Sequence, residues 1–285
     1  MTRHARNLRL GLLVAFTMIA FAANSVLNRY AVAGQGMAPL TFATLRVAAG
    51  AAVLLALSGP RRCFAATGGR LRARLAGAAT LATYMIGFSW AYLALDAGLG
   101  ALILFGCVQL GMFGWALWRG ARIGPARWAG SAVALAGLVL LLWPSGAVTV
   151  PLLPALAMIA AGLGWAGYTL LGQGARDPRA TSAANFTLCL PVVAAALWAS
   201  GGIGALGTPA VAAALVSGGL TSGLGYALWY RLLPRLATTT AATAQLSVPL
   251  IAVAGGAVLL SEPLTLRLGV SAVLVLGGIA LSFRR

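Results

Sequence analysis

The sequence predicts an all-α integral membrane protein of ten transmembrane helices, arranged as two inverted five-helix repeats. Three observations predict it. Of 285 residues, 61% are hydrophobic and only 8% charged, against about 25% charged in a soluble domain, and the mean hydropathy is +0.94. Ten apolar stretches follow one another with short breaks between them. The basic residues fall in alternate breaks. A net charge of +17 in a polar chain would suggest a nucleic-acid partner. On this apolar background it reads as membrane topology, with the bilayer as partner and no nucleic acid.

A hydrocarbon core about 30 Å thick takes roughly 20 apolar residues per helix. The stretches that meet this run over about 10–31, 38–58, 75–95, 98–118, 127–143, 151–173, 182–200, 209–230, 238–260 and 267–283. The first follows Arg3, Arg6 and Arg9 and ends at Arg29-Tyr30. The second opens near Pro39 and stops at Gly59-Pro60-Arg61-Arg62. The third follows Arg70, Arg72 and Arg74 and ends at Asp96, and the fourth runs on to Arg119 and Arg122. Gly124-Pro125 opens the fifth and Pro144-Ser145-Gly146 closes it. The sixth ends before Asp177-Pro178, the seventh follows Arg179, and the eighth meets Arg231 and Arg235. Glu262-Pro263 closes the ninth, and Arg284-Arg285 follow the tenth.

All 20 basic residues are arginine, and every one except Arg29, Arg46 and Arg267 lies in an alternate loop or at a terminus. The positive-inside rule therefore puts both termini in the cytoplasm. The absence of lysine suits a GC-rich bacterial genome and hence the bacterial inner membrane. The basic start, apolar run and Ala20-Phe21-Ala22 also read as a signal peptide. Retention of the first helix is expected instead, because the sixth would otherwise lack its counterpart.

That counterpart comes from a repeat. Residues 127–143 align with 266–282, pairing Gly130 with Gly269, and Phe21-Ala22-Ala23-Asn24 matches Trp165-Ala166-Gly167-Tyr168. Five helices per half is an odd number, so the second copy lies inverted, the plan of secondary transporters with a midplane substrate site. The division expected is 1–145 for the first repeat and 146–285 for the second. Fused repeats supply both halves of such a unit, so a monomer suffices, and dimerisation is left open.

Catalysis by familiar routes has little to work with. The only histidine is His4, in the N-terminal tail, and the three carboxylates Asp96, Asp177 and Glu262 all fall at helix ends. Cys63, Cys107 and Cys189 show neither paired nor CxxC spacing, so no disulfide, metal or cofactor is expected. Gly162-Leu163-Gly164-Trp165-Ala166-Gly167 has dinucleotide-binding spacing, but it lies within an apolar helix and lacks the acid that follows such a motif. Small residues there permit close helix contact. The chain is not expected to be an enzyme.

The candidate site is built from uncharged polar and aromatic groups. Asn24 and Asn28 share one face of the first span, Gln109 lies in the fourth and Gln245 in the ninth. Amides avoid lipid, so each faces the bundle interior and serves either interhelical hydrogen bonding or a substrate. Pro249 cannot donate a backbone hydrogen bond, and its ring displaces the carbonyl of Gln245. Gln245 thus offers a carbonyl and an amide to a substrate ammonium or amide, or else the two residues form a packed kink. Tyr84, Phe88, Trp165, Tyr168 and Tyr226 are deep enough to wall a cavity for a planar group. Tyr92 and Tyr230 read as interfacial belt residues. Arg46 lies eight residues into its helix, about 12 Å deep. It either receives a substrate carboxylate, binds helix-end carbonyls, or snorkels toward the surface.

The residues also resemble a family. Phe21-Ala22-Ala23-Asn24, Arg29-Tyr30, Pro39, Leu45-Arg46, Val248-Pro249, Leu260-Ser261-Glu262-Pro263, Gly269 and Gly277-Gly278 occur in the order and spacing of the drug/metabolite transporter superfamily, EamA type. The resemblance spans essentially the whole chain and is greatest to the YddG-type exporters. It implies export of aromatic amino acids, other neutral amino acids and related metabolites, amphipathic drugs among them, by alternating access. The first repeat departs from the pattern, with Leu110 in the place of Pro249 and Ile123 in that of Glu262. Two alternatives stand beside this reading. One is a sugar-phosphate or nucleotide-sugar carrier of the same superfamily, which needs several buried cations where only Arg46 is available. The other is a non-transporting membrane protein.

Overall fold

The computed structural model describes residues 3–65, 71–95, 97–143, 151–260 and 266–282. Arg70, Asp96, Pro144-Ser145-Gly146, Glu262-Pro263 and Arg284-Arg285, which the sequence reading used as breaks and topology markers, lie outside them. The described residues are helical, with a single isolated bridge between Met37 and Gly204. Helices are α1 (Arg3–Arg29), α2 (Pro39–Ser58), α3 (Pro60–Ala65), α4 (Leu71–Ala91), α5 (Ala97–Trp118), α6 (Pro125–Leu142) and α7 (Leu152–Gln173). Then come α8 (Pro178–Ala199), α9 (Thr208–Val216), α10 (Gly225–Leu232), α11 (Thr238–Gln245), α12 (Ser247–Leu260) and α13 (Leu266–Ser282). A helix stands at each stretch the sequence nominated.

Punctuation residues set the starts. Pro39, Pro125 and Pro178 open α2, α6 and α8, where a missing N–H costs nothing. Asp177 caps α8 by accepting from the amide of Ala180 at 3.1 Å. Gly59, at φ 76°, ends α2; that left-handed backbone favours glycine. Arg74 donates to the carbonyl of Cys63 at 2.8 Å and ties α4 to α3.

Three spans differ from simple rods. The first runs past Tyr30 through a π-helical turn to Gly34. The eighth is α9 and α10 joined by a π-helical segment, Ser217–Leu224, whose Ser-Gly-Gly-Leu-Thr-Ser-Gly run is weakly helix-forming. The ninth breaks at Leu246, three residues before Pro249, the site at which a proline ring disrupts the preceding turn. Among the described residues, five helices are long and apolar enough to cross a membrane: Leu8–Gly34, Pro39–Ser58, Leu152–Gln173, Pro178–Ala199 and Thr208–Arg235. Shorter apolar helices cover Ile103–Trp118, Pro125–Leu140, Thr238–Ala254 and Gly269–Ser282.

The bundle is inside-out relative to a soluble protein. Leu110 (70% exposed), Trp198 (87%) and Val273 (73%) face outward while Asn24, Arg46 and Gln245 are enclosed. Such a surface suits lipid, and it leaves polar groups to be satisfied within. The most extensive packing is between α6 and α13, α4 and α7, α2 and α8, and α5 and α7, with α1 against α12 and the π segment against α2. The α6–α13 crossing is close enough that a Cβ on Gly278 would lie 2.5 Å from the Ala134 nitrogen and the Gly130 carbonyl. A second apolar cluster of Ala31, Val32, Met37, Phe42, Ala210, Ala213 and Ala214 closes one end, where Thr41 donates to the carbonyl of Ile203 at 2.6 Å.

Candidate functional site

Arg46 is fully enclosed. Its Nε donates to Ser222 Oγ at 2.8 Å, and its Nη2 donates to the hydroxyls of Tyr226 at 2.6 Å and Tyr84 at 3.3 Å. The guanidinium lies 5.6 Å from the centre of the Tyr84 ring and 5.9 Å from that of Phe88, within cation–π reach. Nη1 has no partner, and no carboxylate pairs with Arg46 among the described residues. Taking an ion out of water costs several kcal/mol, and neutral hydroxyls return only part of it. Arg46 neither snorkels nor binds helix-end carbonyls, because the tyrosines and Ser222 hold it in the interior.

Asn24, one turn beyond Phe21 in α1, ties this group to the π segment. Its Oδ1 accepts from Ser217 Oγ at 2.7 Å, Thr221 Oγ1 at 2.5 Å and Ser222 Oγ at 3.1 Å, while its Nδ2 is buried without a partner. Beside them lies a cavity of about 20 Å³ lined by Phe21, Asn24, Ser25, Tyr84, Phe88, Leu104, Phe105, Trp165 and Tyr226. The rings form one network: Trp165 is 4.7 Å from Tyr226, 4.9 Å from Tyr84 and 5.2 Å from Phe21, centre to centre. Tyr168 stacks on Trp165 at 5.5 Å and lies 6.0 Å from Tyr226.

Gln245 stands behind this wall. Its Oε1 accepts from Trp165 Nε1 at 2.5 Å, and its Nε2 donates to the Ala241 carbonyl at 3.1 Å and contacts Met112 Sδ at 3.6 Å. The amide read as a substrate ligand is thus engaged on both sides, with the Trp165 indole as its partner. Asn28, Gln109 and Pro249 are buried but do not line the cavity. Both amide atoms of Asn28 and of Gln109 lack partners among the described residues.

Tyr230 is a correction. It is fully buried, donates to the Tyr168 carbonyl at 2.8 Å and accepts from Asn185 Nδ2 at 3.3 Å. The aromatic-belt reading failed because sequence depth does not say which way a helix is turned. The sequence reading also missed Ser217, Thr221 and Ser222, and it quoted Phe21 without assigning it to the site. The available signal was a polar, glycine-rich run inside an otherwise apolar span.

A separate cavity of about 420 Å³, with arginines in its wall, opens where α5, α6, α7 and α11 meet. Arg119, Arg122, Arg127, Gln173 and Thr238 supply its polar wall.

Fold and site together define a polytopic all-helical membrane protein whose polar and charged side chains converge at the centre of its bundle. Comparison with known proteins agrees. The profile of the EamA-like transporter family matches residues 152–284. The chain is 46% identical over 270 residues to "Uncharacterized protein PA1977" of Pseudomonas aeruginosa, covering 95% of this chain and 93% of that one. It superposes on a crystal structure of another protein with a TM-score of 0.81, covering 96% of this chain and 97% of that one, at 18% identity, a likeness of fold alone. The second half of the chain thus resembles the EamA-like transporter family, and the whole chain has the helical make-up of a multi-pass membrane protein.

Proposed function

We propose that this protein is a transporter of the EamA-like family, within the drug/metabolite transporter superfamily, and a bacterial inner-membrane exporter of small metabolites that join a carboxylate to an aromatic or bulky apolar body, aromatic and neutral amino acids among them. The observation that carries this reading is the buried Arg46, without a carboxylate partner among the described residues, beside an aromatic-walled cavity. A cation kept in the interior at such cost serves an anionic group that arrives and leaves. Phe21, Tyr84, Phe88, Trp165 and Tyr226 supply the wall for a planar group, and Asn24 supplies a free donor. Gln245 is a positioning residue that fixes the Trp165 indole. Phosphorylated sugars call for more cations than Arg46 alone provides.

Transport proceeds by alternating access between two inverted repeats, 1–145 and 146–285, with ten crossings and cytoplasmic termini. The helix pairing supports this. Exchange the halves in order, and α6–α13 and α2–α8 map onto themselves. The pairing of α4 with α7 maps onto that of α9 and α10 with α1, and α5–α7 maps onto α12–α1. The family match starting at residue 152 also falls on the second repeat. A cavity of about 20 Å³ admits one water-sized body, so the halves must part to admit a solute. Counterflow in proteoliposomes tests the proposal with labelled phenylalanine, tryptophan, threonine, arginine and a sugar phosphate. Saturable flux of the aromatic solutes supports it. Flux of the sugar phosphate alone would transfer the function to a phosphate-selective carrier.

A further inference from the structure

We infer that the central site selects aromatic carboxylates lacking an ammonium group over the corresponding zwitterionic amino acids. The inference rests on the transport reading above and narrows its substrate class. It comes from an inventory of hydrogen-bonding capacity.

The amide acceptors around the cavity are already used. Asn24 Oδ1 takes three hydroxyl hydrogens, from Ser217, Thr221 and Ser222. Gln245 Oε1 takes the indole hydrogen of Trp165. The hydroxyls of Tyr226 and Tyr84 accept from the guanidinium, and Tyr226 passes its own hydrogen to Tyr84 at 3.4 Å. The buried side-chain atoms left unpartnered in this group are Arg46 Nη1 and Asn24 Nδ2, and both can only donate.

A carboxylate meets those donors directly, and its charge offsets that of the guanidinium in a charge-assisted hydrogen bond. An ammonium finds the opposite. It brings a second positive charge toward Arg46 and needs three acceptors, where the cavity wall offers only the Ser25 hydroxyl outside the network just described. The chain has only three acidic residues. Asp177 is committed to the start of α8, and the sequence puts Asp96 and Glu262 at span ends. The arginine-walled cavity, with Arg119, Arg122 and Arg127, adds a field that draws anions and repels cations. A zwitterion gains at its carboxylate and loses at its ammonium, so it binds less well than the acid that shares its ring.

The test holds the ring constant and changes only the charges. Binding of 3-phenylpropanoate, phenylalanine and 2-phenylethylamine to the purified full chain is measured by isothermal titration. The expected order is the carboxylate about tenfold or more tighter than phenylalanine, the scale of a single lost or gained ionic contact, with no detectable binding of the amine. Asn24→Asp keeps Oδ1 for its three hydroxyls and replaces the free donor with an acceptor, so it should bring the ratio to near unity or invert it. Should that variant not fold, the wild-type order decides alone. Phenylalanine binding as tightly as 3-phenylpropanoate overturns the inference and leaves the exporter reading intact. Failure of all three to bind overturns both.

Discussion

Replacing Arg46 with methionine separates a binding role from a structural one. The side chain is fully enclosed and has no acidic partner among the described residues, so only three neutral hydroxyls and the Tyr84 and Phe88 rings offset its burial. A buried ion costs several kcal/mol, and exchanging buried charge for apolar groups of similar volume is neutral or stabilising by about 1–4 kcal/mol. The hydroxyls left behind keep partners: Ser222 retains Asn24, and Tyr226 retains Tyr84. Arg46→Met should therefore leave the melting temperature in detergent unchanged or raise it. At roughly 2–4 °C per kcal/mol for large single domains, the rise reaches up to about 16 °C. An aromatic carboxylate at a hundred times its Kd should stabilise the wild type by about 2.7 kcal/mol and the variant not at all. Thermal unfolding followed by tryptophan fluorescence, with and without 3-phenylpropanoate, reads both quantities. A variant that melts well below the wild type would refute the reasoning and make Arg46 a structural hub. So would a variant that still responds to the carboxylate.

Other outcomes follow from the same geometry. Gln245→Ala leaves the Trp165 indole without its acceptor, at a cost of about 1–3 kcal/mol. Affinity for aromatic solutes should fall, and less than additively when combined with Trp165→Phe, as a double-mutant titration would show. Gly278→Val puts a Cβ 2.5 Å from backbone atoms of α6. Forcing the helices apart should destabilise the protein by about 1–3 kcal/mol, measured as a lower melting temperature. Met37 is buried in the apolar cluster that closes one end. In a background lacking the native cysteines, Met37→Cys should react with a membrane-impermeant maleimide faster while solute is moving than at rest. Equal rates would argue against opening at that end.

Much of the fold is legible in the sequence because the bilayer imposes a length and a composition on each helix. The proline and glycine breaks at Pro39, Gly59, Pro125 and Asp177-Pro178 recur as helix ends for the local reasons that make them punctuation. The site is only partly legible. Arg46, Asn24, Tyr84, Phe88, Trp165 and Tyr226 stand out as polar or aromatic residues within apolar spans, and they do meet. Gln109, Asn28 and Pro249 stand out equally and line no part of the cavity. The difference is rotational. A helix that is apolar on every side carries no stripe to indicate which face points inward, so Tyr230 looked interfacial and proved to be buried against Tyr168. The π-helical segment was hidden for another reason. Its widened turn, which presents Ser217, Thr221 and Ser222 together to Asn24, does not follow from the regular 3.6-residue period.

The central claim is that Arg46 receives the negative charge of a transported solute. The most direct measurement is electrical, on proteoliposomes adsorbed to a solid-supported membrane and pulsed with 3-phenylpropanoate. The account predicts a saturable current in the direction of net negative charge entering with the solute, abolished in Arg46→Met. A full-sized current in Arg46→Met, or none in the wild type under conditions where labelled solute crosses, would contradict it.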